Sequence, residues 1–177
     1  MIFAKKDKIF EFNYETEEIR DVCIYDENMK RQPEFFRLND KQDVAIVASK
    51  DDGIYCNFKT KKQLDLDDLY QISNICEIIH DEEEGNFYML VNKHKGMLGL
   101  FLIQMDEANP GTMYQFFLKY NSKLNVGDAS ISIIRNPKKN TKELLVGYKT
   151  IFMNTYTVHV INISQADKFT IFQHLDF

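Results

Sequence analysis

Residues Ile75–Met105 read ICEIIHDEEEGNFYMLVNKHKGMLGLFLIQM. Three apolar runs alternate with two polar turns, each containing a glycine, which predicts three strands folded back on one another as one antiparallel unit. Within the runs, strand formers recur at every second position, as a pleated sheet with two different faces requires.

Working outward, the same pattern fills the chain. Ile2-Phe3-Ala4, Ile9 to Tyr14 and Ile19 to Tyr25 predict three strands before the polar loop Asp26 to Pro33. Phe35 to Leu38, Val44 to Ala48 and Ile54 to Phe58 predict three more, with Asn39 to Asp43 and Ser49 to Gly53 as turns. Residues 61 to 74 carry Leu64, Leu66, Leu69 and Tyr70, which fit an outer strand or one turn of helix; the strand agrees with its neighbours. Asp106 to Thr112 is a turn cluster, with Pro110 and Gly111 as breakers. Strands follow at Met113 to Tyr120, Ile131 to Ile134, Leu144 to Val146, Ile151 to Ile163 with a break near Asn154, and Phe169 to Leu175. The loops Asn121 to Asp128 and Asn136 to Lys142 lie among them.

The chain of 177 residues suffices for one domain with a core of its own; hydrophobic residues make up 44% and tryptophan is absent. A net charge of −5 argues against nucleic-acid binding through general phosphate neutralisation. Cys23, Cys56 and Cys76 are odd in number, have no CxxC spacing and sit in apolar runs, so reduced intracellular thiols are expected. MIFAKKDKIFEF, at the N-terminus, lacks the apolar core of a signal peptide, and no apolar run approaches the roughly 20 residues of a spanning helix. These features predict an intracellular, cytoplasmic protein without membrane contact, with the nucleus left open.

A repeat underlies the pattern. Ile2-Phe3-Ala4, Ile46-Val47-Ala48, Leu90-Val91-Asn92 and Leu145-Val146-Gly147 each place an apolar pair and a small residue before a polar turn. Phe3, Val47 and Val91 are spaced by 44 residues, and Val146 follows Val91 by 55. A period near 44 is that of a four-stranded propeller blade. On these residues the chain resembles the tryptophan-aspartate (WD) repeat and related β-propellers, although the Gly-His and Trp-Asp dipeptides of that family are missing. The resemblance implies an all-β fold of antiparallel four-stranded blades in a partial β-propeller, with a β-sandwich as the alternative. Residues 1–177 then form one propeller-like segment with approximate units 1–25, 34–70, 75–120 and 129–177. Propellers close with roughly four to eight blades, so this chain is expected either to be part of a larger propeller or to close by pairing with a second copy or another chain.

The repeat also aligns candidate contact residues. Lys6, Lys50, His94 and Lys149 stand three residues after the reference positions, and Lys5, Ser49, Lys93 and Tyr148 two residues after. In a propeller these turns share one face. Lys6, Lys50, Lys93, His94, Tyr148 and Lys149 therefore form the candidate rim for a protein partner, acidic or phosphorylated.

His80 with Asp81, Glu82, Glu83 and Glu84 superficially suggests a metal site, but consecutive side chains in a turn diverge, so a solvated acidic turn is expected. Cys76 and His80 lie too far apart on a straight strand to form a dyad, and His159 and His174 lack partners at ligand spacing. No nucleophile elbow, phosphate-binding loop, dinucleotide fingerprint or HExxH helix is present, and no cofactor or catalytic residue is assigned. The expected function is a non-enzymatic interaction scaffold; the alternative is an enzyme or small-ligand-binding propeller whose site is completed by another chain or segment.

Overall fold

A computed structural model describes residues 1–5, 8–24, 34–39, 41–49, 53–60, 62–66, 74–93, 97–105, 110–119, 126–138, 140–150, 155–163 and 170–176. Fifteen strands lie among them. The first sheet holds β1 (Ile2–Lys5), β2 (Lys8–Asn13) and β3 (Glu18–Ile24). The second holds β4 (Phe35–Leu38), β5 (Val44–Ala48), β6 (Gly53–Asn57) and β7 (Lys62–Asp65). The third holds β8 (Ile75–Asp81), β9 (Asn86–Lys93), β10 (Met97–Met105) and β11 (Pro110–Lys119). The fourth holds β12 (Val126–Asn136), β13 (Thr141–Thr150), β14 (Thr155–Asn162) and β15 (Thr170–Asp176).

In every sheet the strands pair in chain order, so each sheet is finished before the next begins. A Greek-key sandwich would instead carry the chain between two sheets. This meander order makes the fold propeller-like and all-β.

The chain divides into two compact units, Met1–Ile75 and Cys76–Phe177. In the first unit, Ile9 from the first sheet packs with Ala45, Val47 and Cys56 from the second, and Ile2, Phe36, Leu38 and Phe58 border them. The second unit has a larger core. Tyr88, Leu90, Leu98, Leu100 and Leu102 form one face of the third sheet, aligned by the pairs Leu90↔Leu100 and Tyr88↔Leu102. They meet Ile131, Leu144, Val146, Tyr148, Ile161 and Ile163 of the fourth. Phe87, Met89 and Val91, on the opposite face of β9, are fully buried as well. A central strand with two buried faces reads as the near-continuous apolar run FYMLV.

The turns share a device that accounts for the repeat. Asn13 and Asn57 end β2 and β6, and each side-chain oxygen accepts the N–H two residues on, from Glu15 at 2.9 Å and Lys59 at 3.0 Å. Asp81 and Asn136, ending β8 and β12, accept in the same way from Glu83 at 3.1 Å and Lys138 at 3.2 Å. A short polar side chain thereby replaces the ladder partner that the backbone loses at the strand end. Four residues after Asn13, Asp81 and Asn136, the chain turns back through a positive φ, 56° at Glu17, 69° at Gly85 and 49° at Asn140. Glycine adopts that conformation without steric cost, which explains Gly85.

Among the strand starts that differ from the sequence expectation, those of β11 and β12 depend on neighbouring strands. β11 begins at Pro110, inside the expected turn, because a proline at the first position of an edge strand removes no ladder bond; the register shifts beside Met105. β12 begins at Val126 inside the expected loop, with a register shift between Val126 and Ala129 absorbing the irregularity. The outer strand expected between residues 61 and 74 is β7.

Candidate interaction site

The β8–β9 and β12–β13 hairpins of the second unit are tied by charge. Asp81 is 3% exposed, and its Oδ2 accepts a hydrogen bond from Lys142 Nζ at 2.6 Å. The Lys142 side chain is 10% exposed, and its ammonium also lies 3.3 Å from Glu83 Oε2 and 3.2 Å from Glu84 Oε1. Arg135 pairs with the other oxygen of Glu83. Asp81 thus uses one oxygen to hold its own turn and the other to hold a residue 61 positions away.

A carboxylate and an ammonium buried to this extent lose most of their hydration, and the losses are offset only while both remain paired. The carboxylates of Asp81, Glu83 and Glu84 converge on the Lys142 ammonium, where the sequence predicts side chains that diverge. This corrects the expectation of a solvated acidic turn: Glu82, Glu83 and Glu84 are exposed, whereas Asp81 is interior. The His80 ring packs 4.7 Å from that of Phe87.

A second link joins the same two sheets. Glu77 Oε2 on β8 accepts the backbone N–H of Ile131 on β12 at 2.8 Å. β12 is the first strand of its sheet and is paired on one side by β13. Glu77 therefore satisfies an outward N–H that the ladder leaves over.

A cleft of about 450 Å³ opens where the two hairpins meet, lined by Glu84, Arg135, Asn136, Pro137, Asn140, Thr141 and Lys142. Its outer edge is exposed at Arg135, Pro137 and Asn140, while its floor is fixed by the Lys142 network. Thr141 Oγ1 donates to the buried Glu143 at 3.2 Å, which keeps a second carboxylate hydrogen-bonded beside the cleft.

The lysine rim expected at the other turns is only partly within the described residues. Lys6, Lys50 and His94 lie outside them, and Lys93 is described only as the last residue of β9. Tyr148 is a core residue, 5% exposed, with its hydroxyl 3.3 Å from His159 Nε2. Alternation explains this placement: Leu144, Val146 and Tyr148 share the buried face of β13, so the phenol meets the core and not solvent. Lys149 is half-buried, with its ammonium 5.5 Å from the ring centre of its cross-strand partner Tyr156, which is 53% exposed. The structure therefore separates Tyr148 from Lys149 and gathers Asp81, Glu83, Glu84, Arg135 and Lys142, which the reading of the sequence had not joined. One signal for that grouping was present. Asp81 and Asn136 are 55 residues apart, the spacing of Val91 and Val146, so the two turns are equivalent.

Burial raises the Cys76 thiol above its ordinary pKa, Glu77 adds to the effect, and a backbone hydrogen bond from Asn92 partly opposes it. Burial likewise raises the Tyr88 phenol, with Glu84 and Asp81 pushing in the same direction. Both groups stay protonated near neutral pH, as core residues should.

No protein-family model matches this chain, and no curated protein matches it in sequence. Its fold is similar to part of the crystal structure of S. cerevisiae core factor, with a TM-score of 0.59 and 12% identity over 96% of this chain and 28% of that one. The WD40 domain of SCAP from fission yeast gives a TM-score of 0.49 and 11% identity over 97% of this chain and 42% of that one. The chain spans less than half the length of either structure. At such identities the likeness to the core factor structure concerns the fold alone.

Proposed function

We propose that this chain is a non-enzymatic protein–protein interaction module, and that it presents the cleft between the β8–β9 and β12–β13 hairpins to a partner polypeptide. The four sheets serve as the repeating units of one propeller-like segment. The observation that carries the reading is Lys142 enclosed by Asp81, Glu83 and Glu84. This network fixes both hairpins before a partner arrives, so little ordering remains to be done on binding.

The exposed Arg135 guanidinium suits an acidic or phosphorylated segment, because its planar fork can leave Glu83 for a carboxylate or phosphate of the partner. Lys149 with Tyr156 is a second cationic position, on the β13–β14 hairpin. The test is affinity purification from cell extract with the wild-type chain, Arg135→Glu and Lys149→Glu, after thermal melting shows that all three are folded. Loss of specific partners from Arg135→Glu is expected, with a smaller loss from Lys149→Glu. Retention of every partner by both variants contradicts the proposal.

A further inference from the structure

One face of the fourth sheet changes from apolar to polar along its length. Ile133, Leu144, Ile161 and Ile171 form an apolar row across β12, β13, β14 and β15. The next row on that face is Ile131, Val146, His159 and His174, and the one beyond it is Ala129, Tyr148, Thr157 and Asp176. β14 alternates along this stretch, with Thr157, His159 and Ile161 buried and Val158, Val160 and Asn162 half-buried. The polar rows therefore belong to the same face as the core.

His159 and His174 lack ligand spacing along the chain, but the register of β14 with β15 makes them directly opposite partners. Opposite residues of an antiparallel ladder have Cβ atoms about 4.5–5.5 Å apart, and diagonal ones about 7–8 Å apart. Asp176 stands two positions beyond His174 on β15 and diagonal to His159. Two imidazoles and a carboxylate thus occupy three neighbouring register positions on one face.

The His159 ring is held from its other side. Its Nε2 lies 3.3 Å from Tyr148 Oη, and the two rings stand 5.5 Å apart, tilted by 32°. Both residues are buried, so this contact fixes the imidazole in place. Histidines that bind a metal through one ring nitrogen commonly use the other in a hydrogen bond of this kind, which sets the tautomer and the ring plane. The polar rows also lie near the ends of their strands, where an ion can enter: Thr150 ends β13, Thr155 begins β14 and Asp176 ends β15.

We propose that His159, His174 and Asp176 form a site for a divalent transition-metal ion, with Tyr148 as the positioning residue of His159. The donor set selects the class of ion. Two imidazole nitrogens and one carboxylate suit Zn²⁺ and its neighbours, whereas Mg²⁺ and Ca²⁺ take oxygen ligands. Three protein ligands are also the number that leaves a fourth zinc position to water or another small molecule. The ion ties β14 to β15 through side chains in addition to the ladder. Thr141, in the cleft, begins β13, and Tyr148 lies near that strand's other end, so this site goes beyond the cleft proposed above and stands or falls without it.

The test uses the full chain, stripped of metal by a chelator, and Zn²⁺ alone as the probe, titrated in competition with a chromophoric chelator. Saturable binding of about one equivalent is expected. His174→Gln should weaken it about 100-fold or more, beyond the usual cost of an outer hydrogen bond, and Tyr148→Phe should weaken it about 10–100-fold with the stoichiometry unchanged. The chain has four histidines, and on addition of zinc the imidazole resonances of His159 and His174 should move while those of His80 and His94 stay in place. That readout needs no variant, so the inference remains testable if His174→Gln does not fold. Absence of saturable binding, undiminished binding by folded His174→Gln, or shifts at His80 or His94 instead overturns the site. Unchanged affinity in Tyr148→Phe overturns the positioning role.

Discussion

The two units are built from one repeat and held together differently. In the unit from Met1 to Ile75 the strands are short, four to seven residues, and the sheets join through a small core of Ile9, Ala45, Val47 and Cys56. In the unit from Cys76 to Phe177 the strands that follow β8 run to between seven and eleven residues, and eleven buried residues form the shared core. Two polar links, Glu77 with Ile131 and Asp81 with Lys142, then bind its sheets across 54 and 61 residues of chain. Longer strands bury more apolar area, at about 25 cal/mol per Å². The polar links add registration, because a one-residue slip would strand a buried charge. The unit from Cys76 to Phe177 is therefore suited to hold a fixed surface.

This contrast can be broken most strongly at Lys142. Lys142→Met should cost about 3–5 kcal/mol, the usual penalty for leaving a buried carboxylate unpaired, read from the urea midpoint at constant m-value. The double variant Asp81→Asn with Lys142→Met should recover part of that loss, because the uncompensated charge is gone. A cost under about 0.5 kcal/mol, the range of ordinary surface substitutions, would show that the network is incidental. Core truncations come next. Leu100→Ala should lose about 2–5 kcal/mol in the larger core. Val47→Ala in the smaller one should lose about 1–2 kcal/mol, at roughly 0.8 per methylene-sized group removed. Equal losses would remove the distinction between the cores.

The smallest effect concerns Asp43 in the first unit. Burial alone would raise its carboxyl pKa, but hydrogen bonds from Lys59 and Asn39 and the Lys59 charge outweigh burial and hold it below the ordinary carboxylate value. Lys59 Nζ is 2.7 Å from Asp43 Oδ2 and its side chain is 72% exposed, so solvent screens the pair. The linkage sign follows from the lowered value. The pair stabilises the fold above the unfolded carboxyl pKa, near pH 4, and that stability is lost as pH falls through the lower folded value. Lys59→Ala should therefore narrow the difference in stability between pH 6 and pH 3 by well under 1 kcal/mol, measured by thermal melting across that window.

Much of this architecture is legible in the residues themselves. Strand order and the 44-residue period follow from alternation and turn chemistry, which act between neighbours a few positions apart. The apolar run of β9 and the outer strand β7 could be placed on that basis. Pro110 and Val126 could not, because edge position and register shift decide their strands, and both depend on a neighbouring strand. The cleft was less legible still. Asp81 resembled the solvated glutamates beside it until Lys142 approached from the next sheet. Tyr148 and Lys149, adjacent in sequence and similar in promise, diverge because successive residues of a strand face opposite ways.

The central claim is that longer strands, a larger core and the Lys142 network make the unit from Cys76 to Phe177 the more firmly held of the two. Amide exchange of the free protein, resolved by residue, tests it most directly. The account predicts slower exchange at Leu100 and Val146 in the larger core than at Ala45 and Val47 in the smaller one. Equal protection in the two cores, or faster exchange in the larger, would contradict it.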